Sequence, residues 1–251
     1  MHSTMSPKIR TAAAILFWLA VWQAAAWRVD SLLFLPGPWT VAVRLMELAR
    51  TVVFWQTAGL TLLRVLLGML WGTALGVLLA CLACVSRWLD VILSPAVRVV
   101  RATPVASFIL LVFLWTDRNQ VPVVIAALMV LPVVWGNVVR GIRECDRKLL
   151  ELAAAYRFSR LKTARLILWP SVRPYFLSAV TTSIGLAWKS GVAAEALVWP
   201  KLAIGTQIYN TKFYLETADL FAWTLMVIVL SLLLEKVVSS FVARMERRVR
   251  Q

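Results

Sequence analysis

Apolar residues come in long blocks along this chain, interrupted by short polar segments that carry most of the charge. Six blocks stand out: Thr11 to Trp27, Gly59 to Val85, a short one from Thr103 to Trp115, Val121 to Val139, about Tyr175 to Leu197, and Asp219 to Val242. Crossing the hydrocarbon core takes about 20 apolar residues as a helix, fewer where flanking side chains snorkel. The pattern predicts an all-α membrane protein of six transmembrane helices forming one domain over 1–251. The first block has a rival reading as a signal peptide, because Lys8 and Arg10 precede it and "QAAAW" ends it.

Two segments between blocks have a different texture. From about 38 to 52, Val41, Leu45, Leu48 and Val52 recur at helical spacing behind Pro36 and Pro38, with Arg44, Glu47 and Arg50 elsewhere on the circumference. This predicts an interfacial helix. Between the fourth and fifth blocks, about 141–173, Leu149, Leu152 and Tyr156 and then Leu161, Ala164 and Leu168 keep helical spacing. That predicts two short amphipathic helices with a bend near Arg157 to Ser159, followed by a span starting at Arg173 and Pro174.

Composition adds one question. The chain is 61% hydrophobic with 13 Trp, yet its formal net charge is +15. In a soluble protein such a charge suggests nucleic acid; here the placement of Lys and Arg answers instead. With the N-terminus inside, 19 of the 27 fall in inner segments and 6 in outer ones, leaving Arg64 and Lys189 within spans. Cytoplasmic loops carry the excess of Lys and Arg, so both termini and the 141–173 loop are expected in the cytoplasm. No nucleic-acid partner is needed.

Candidate chemistry is sparse. Cys81 and Cys84 read CxxC but lie inside "LLACLACVS", where small apolar packing is expected, and Cys145 stands apart. His2 is the sole histidine, which leaves a zinc or haem site almost without ligands. No metal, cofactor or catalytic residue is expected. Gly68, Gly72 and Gly76 in "GMLWGTALG" form a flat stripe for close helix packing, within one subunit or at a contact or sliding face. Arg64, one turn before it, is expected to snorkel to headgroups. Pro132 should kink the fourth span, with Asn137 available to satisfy freed groups. Lys189 is the residue hardest to reconcile with a bilayer: it either lines a watery path with Thr181, Thr182, Ser183 and Ser190, or pairs with an acid, or sits nearer an interface. Glu195, six positions on, does not share its face on an unbroken helix.

The segment "LLELAAAYRFSRLKTARLILWP" resembles the loop signature of ABC importer permeases: Glu-Ala-Ala, a Gly four residues later, then an apolar residue and Pro. In order around it, "LPGPWTV", "TLLRVLLGMLWGTALGVLLA", "VVRATPVASFILLVFLW", "GIRECDRKLLELA" and "GLAWKSGVAAEAL" resemble the nitrate, sulfonate and taurine branch. The resemblance covers nearly the whole chain. It implies the type I importer permease fold and a homodimer in the bacterial cytoplasmic membrane, joined to two cytoplasmic ATPase subunits and fed by an extracytoplasmic substrate-binding protein. Glu151, Ala153, Tyr156, Arg157, Phe158, Ser159 and Arg160 would then form the coupling helix. Leu152 stands for the signature's first Ala, Arg157 for its Gly, and Trp169 precedes Pro170. Lys189 departs too, and with Thr182, Ser190 and Glu195 would line the path of a small anionic or polar solute. Within the resemblance a vitamin precursor such as a thiamine-related pyrimidine is an alternative cargo. From other classes come an intramembrane enzyme using Lys189, Ser190 and Glu195, and a cargo-free scaffold. No GxxxxGK[ST] occurs, so ATP chemistry is expected on another chain.

Overall fold

The structure, a computed structural model, describes residues 7–31 and 33–250; His2 lies outside them. Among the described residues all regular structure is helical. The order is α1 (Pro7–Val29), α2 (Pro38–Ala49), α3 (Val52–Val85), α4 (Arg87–Ala102), α5 (Val105–Phe113), α6 (Val121–Arg143), α7 (Arg147–Ala155), α8 (Arg160–Thr163), a π-helical turn (Ala164–Leu168), α9 (Trp169–Val198), α10 (Ile204–Phe213) and α11 (Thr217–Arg250).

The core is the trio α3, α6 and α9. Val65, Ala80, Ala126, Val130, Val134, Val138, Ala179, Ala187, Trp188 and Val192 fill it, a set dominated by Val and Ala that lets helices approach closely. The glycine stripe is where α3 meets α6. A Cβ on Gly68 would lie 2.5 Å from the Val123 carbonyl oxygen, one on Gly72 2.5 Å from that of Ala127, and one on Gly76 2.9 Å from the Val134 Cβ. Of the expected uses of this stripe, packing within the protomer is the one observed. Pro132 is accommodated inside α6, which runs unbroken from Val121 to Arg143. Asn137 donates to the Val133 carbonyl at 2.8 Å, one turn back on its own helix and not to the carbonyl of Leu128 that proline leaves unpaired.

Among the described residues four helices are long and apolar enough to cross a membrane, Ile9–Val29, Val52–Val85, Val121–Arg143 and Thr217–Met245, or five if α4 and α5 form one broken span. The third expected span differs from expectation. Only Val105–Phe113 of it is helical, 9 residues or about 13 Å of helix, and Pro104 at its start marks a 105° bend from α4. The fifth is long enough at 30 residues, but Arg173, Lys189, Glu195 and a run of hydroxyls make it less apolar.

Helix α2 packs through Leu45 and Leu48 into a cluster with Phe54, Trp223 and Met226, and Arg44 grips Asp219 of α11 with two hydrogen bonds of 2.5 and 2.8 Å. By contrast α1 leaves Ile15, Leu16, Phe17 and Trp18 exposed. It meets the rest near its C-terminal half, where Trp22 donates to the Pro36 carbonyl and stacks on Phe221.

Candidate functional site

The loop between α6 and α9 begins with a helix capped at both ends. The Asp146 carboxylate accepts from the Lys148 amide at 2.9 Å and starts α7. At the other end the amide of Phe158 donates to the Ala153 carbonyl (2.8 Å) and that of Arg157 to the Ala154 carbonyl (3.0 Å), the paired bonds of a Schellman motif. The residue after the cap in this motif is left-handed, and Arg157 sits there with φ 49°. This accounts for the signature's glycine: the position calls for positive φ, which a residue with a Cβ adopts at about 1–2 kcal/mol. Arg157 keeps the bend and bears the strain. Ser159 then caps α8 by accepting from the Lys162 amide.

Beyond the bend the expectation of a second separate helix is corrected. α8 passes through the π-helical turn into α9 without a break, so one helical rod runs from Arg160 to Val198. The span expected to start at Arg173 and Pro174 starts earlier, since α9 begins at Trp169. Pro170 and Pro174 lie inside the rod, and the π-helical turn ends at Leu168, two residues before Pro170, whose missing N–H cannot serve the carbonyl four residues back. Ile167 and Leu168 of that turn pack with Cys145, Ala153 and Phe158. The bend is thereby bolted to the rod.

Of the expected coupling residues, Ala153 is buried and Phe158 half-buried in this small core, whereas Glu151, Tyr156, Arg157, Ser159 and Arg160 are exposed. With Leu149, Leu152 and Leu161, also exposed, they make a knob that is partly apolar and strongly cationic.

The expected path residues separate into two groups. Ser178, Thr182, Leu186, Lys189, Ala193 and Leu197 are exposed and spaced three or four apart, one open stripe along α9. Ser190 and Glu195 point the other way. Ser190 donates to the Ala187 carbonyl inside the protein. Glu195 is 0% exposed and accepts from Thr61 Oγ1 (2.9 Å), from an Arg64 Nη1 (3.2 Å) and from the Gly205 amide (3.2 Å). Arg64 also donates to the carbonyls of Lys201 and Leu202, and Thr61 accepts from the Ile204 amide. Arg64 therefore turns inward and does not snorkel; with Glu195 it ties α3 to the turn between α9 and α10. Sequence reasoning missed this pairing, the partners being 131 residues apart. The separation of Lys189 from Ser190 and Glu195 also removes the geometry that a catalytic set would need.

Residues 72–251 match the family described as binding-protein-dependent transport system inner membrane component. Among curated proteins, the aliphatic sulfonates transport permease protein SsuC of Bacillus subtilis is 28% identical over 233 residues, covering 92% of this chain and 83% of that protein. The taurine transport system permease protein TauC of Escherichia coli is 22% identical over 220 residues, covering 85% and 80%. A crystal structure of an amino acid ABC transporter with histidines shares the fold, with a TM-score of 0.55 at 19% identity over 76% of this chain and 90% of that one. The capped loop, the glycine-packed helices and the match over most of the chain agree: this protein belongs to the binding-protein-dependent transport system inner membrane components, the permease subunits of ABC importers.

Proposed function

We propose that two copies of this chain form an alternating-access permease in the bacterial cytoplasmic membrane, six spans each with both termini inside, that carries a small anionic solute of the sulfonate kind inward. The observation that carries the energy-coupling part is the capped knob at α7 and α8. It is exposed, cationic and partly apolar, and its bend is packed onto the rod that continues as α9. ATP-driven closure of a cytoplasmic ATPase pair around this knob would move the rod as a unit. The bias of 19 Lys and Arg in inner segments against 6 in outer ones supports the orientation.

The cargo class rests on two further supports. Relatives named for aliphatic sulfonates and for taurine move molecules that bear a sulfonate group, and the open stripe of α9 carries both Lys189 and Thr182. The same stripe and the uncovered apolar face of α1 support a second copy as partner. An outer substrate-binding protein would deliver the solute. Nothing on the stripe favours the pyrimidine alternative.

The test is co-purification. Arg157→Glu with Arg160→Glu is expected to release the ATPase subunits in detergent while the permease still inserts at its normal level. Full retention of ATPase by the double variant refutes the coupling assignment.

A further inference from the structure

Two ionisable groups in apolar helices are left over. Among the described residues neither Lys189 of α9 nor Glu235 of α11 makes a hydrogen bond or ion pair. Both are exposed on the protomer surface. A charge within a span is costly unless it meets an opposite charge, water or a ligand, so the placement of these two relative to each other matters.

Gly185 connects them. The Glu235 Oε1 lies 3.6 Å from the point that a Cβ on Gly185 would occupy. Lys189 is four residues further along the same helix, one turn and about 6 Å of rise away. Long side chains on a helix point back toward its N-terminus and lie over the residue four positions earlier. The stretch of α9 that a Lys189 side chain in this common direction covers includes Gly185, where the absence of a side chain leaves the approach to Glu235 clear. A cleft of about 540 Å³ opens here between α9 and α11, lined by Thr181, Ile184, Leu232, Glu235, Lys236 and Ser239.

We infer that Glu235 is the resident counter-ion of Lys189, held one helical turn from it across Gly185, and that an anionic cargo passes by exchanging for this carboxylate. The inference rests on the path reading of α9 and deepens it. An empty site with a bare lysine would hold its anion too long; a competing carboxylate on a neighbouring helix lets the anion both enter and leave. Lys236, adjacent to Glu235 and in the same cleft, is the rival cation that the test must separate.

The experiment uses the assembled transporter with Cys81, Cys84 and Cys145 replaced by Ala. Glu235→Cys is labelled with an anionic and a cationic methanethiosulfonate of similar size. The anionic reagent is expected to react several-fold faster, an advantage abolished by Lys189→Gln and kept in Lys236→Gln. The reverse pattern, or no preference, overturns the proposal. Exchanging the charges, Lys189→Glu with Glu235→Lys, is expected to restore the amount of assembled complex lost in each single variant; a double variant as depleted as the worse single one also overturns it. The path reading is checked separately by uptake of ethanesulfonate into proteoliposomes that contain binding protein and ATPase. Lys189→Gln should lower that uptake several-fold. Unchanged uptake with pairing intact reduces Lys189 and Glu235 to a static ion pair and refutes the exchange.

Discussion

Replacing Gly72 by Ala adds one methyl group where α3 meets α6. Its Cβ would lie 2.5 Å from the Ala127 carbonyl oxygen, 2.9 Å from the Ala127 Cα and 2.8 Å from the Val130 Cβ. Two of these neighbours are backbone and cannot swing aside. Reaching ordinary contact at 3.4 Å requires the helices to part by about 0.9 Å, and a gap of that size forfeits a quarter to a half of each dispersion contact along the seam. Overpacking of this kind costs about 1–3 kcal/mol, against about 1 kcal/mol gained from replacing glycine in a helix. Gly59 provides the internal control, since a Cβ there meets nothing within 4 Å and Gly59→Ala keeps the propensity gain. The propensity gain being common to both, the two variants should differ by the overpacking cost, about 1–3 kcal/mol, or roughly 2–12 °C in apparent melting temperature for a chain of this size. Thermal unfolding of the purified protein in detergent, followed by size-exclusion recovery, measures it. Gly72→Ala melting at or above Gly59→Ala would refute the reasoning.

Arg157→Gly should relieve the left-handed strain and stabilise the loop by about 1 kcal/mol, seen as slower amide exchange across α7, whereas Arg157→Val should speed it. Glu195→Ala leaves Arg64 half-enclosed without its carboxylate and the Thr61 and Gly205 donors without an acceptor. A loss of about 3–5 kcal/mol is expected for breaking such a buried pair, read as collapse of the folded fraction in detergent. Glu195→Gln, which retains an acceptor oxygen, should lose visibly less. Asp146→Ala removes the cap of α7 and should cost about 1 kcal/mol locally, with faster exchange in its first turn.

The apolar blocks carried most of the fold because hydrocarbon imposes long helices and leaves few alternatives. Gly68, Gly72 and Gly76 were legible for the same reason: in a helix of Leu and Ala, a side-chain-free stripe has value only against another backbone. The bend at Arg157 was legible from the helical spacing on either side. What escaped were features decided by tertiary context. Pro170 and Pro174 have the sequence character of breakers, and the π-helical turn that absorbs Pro170 leaves no periodic trace in five residues. Pro104, which reduces the third expected span to a nine-residue helix after a sharp turn, was legible only as an isolated proline. Arg64 reads as an anchor because its acid lies on a distant helix. The division of Lys189 from Ser190 and Glu195 follows from helical geometry alone, but which face is covered depends on where Val65 and the turn before α10 sit.

The unbroken course of α8 into α9 has a mechanical corollary. If the proposed coupling holds, a push applied near Arg160 would be passed along one continuous helix to the level of Lys189, so inhibitors wedged beneath the bend would freeze solute passage from a distance of several helical turns.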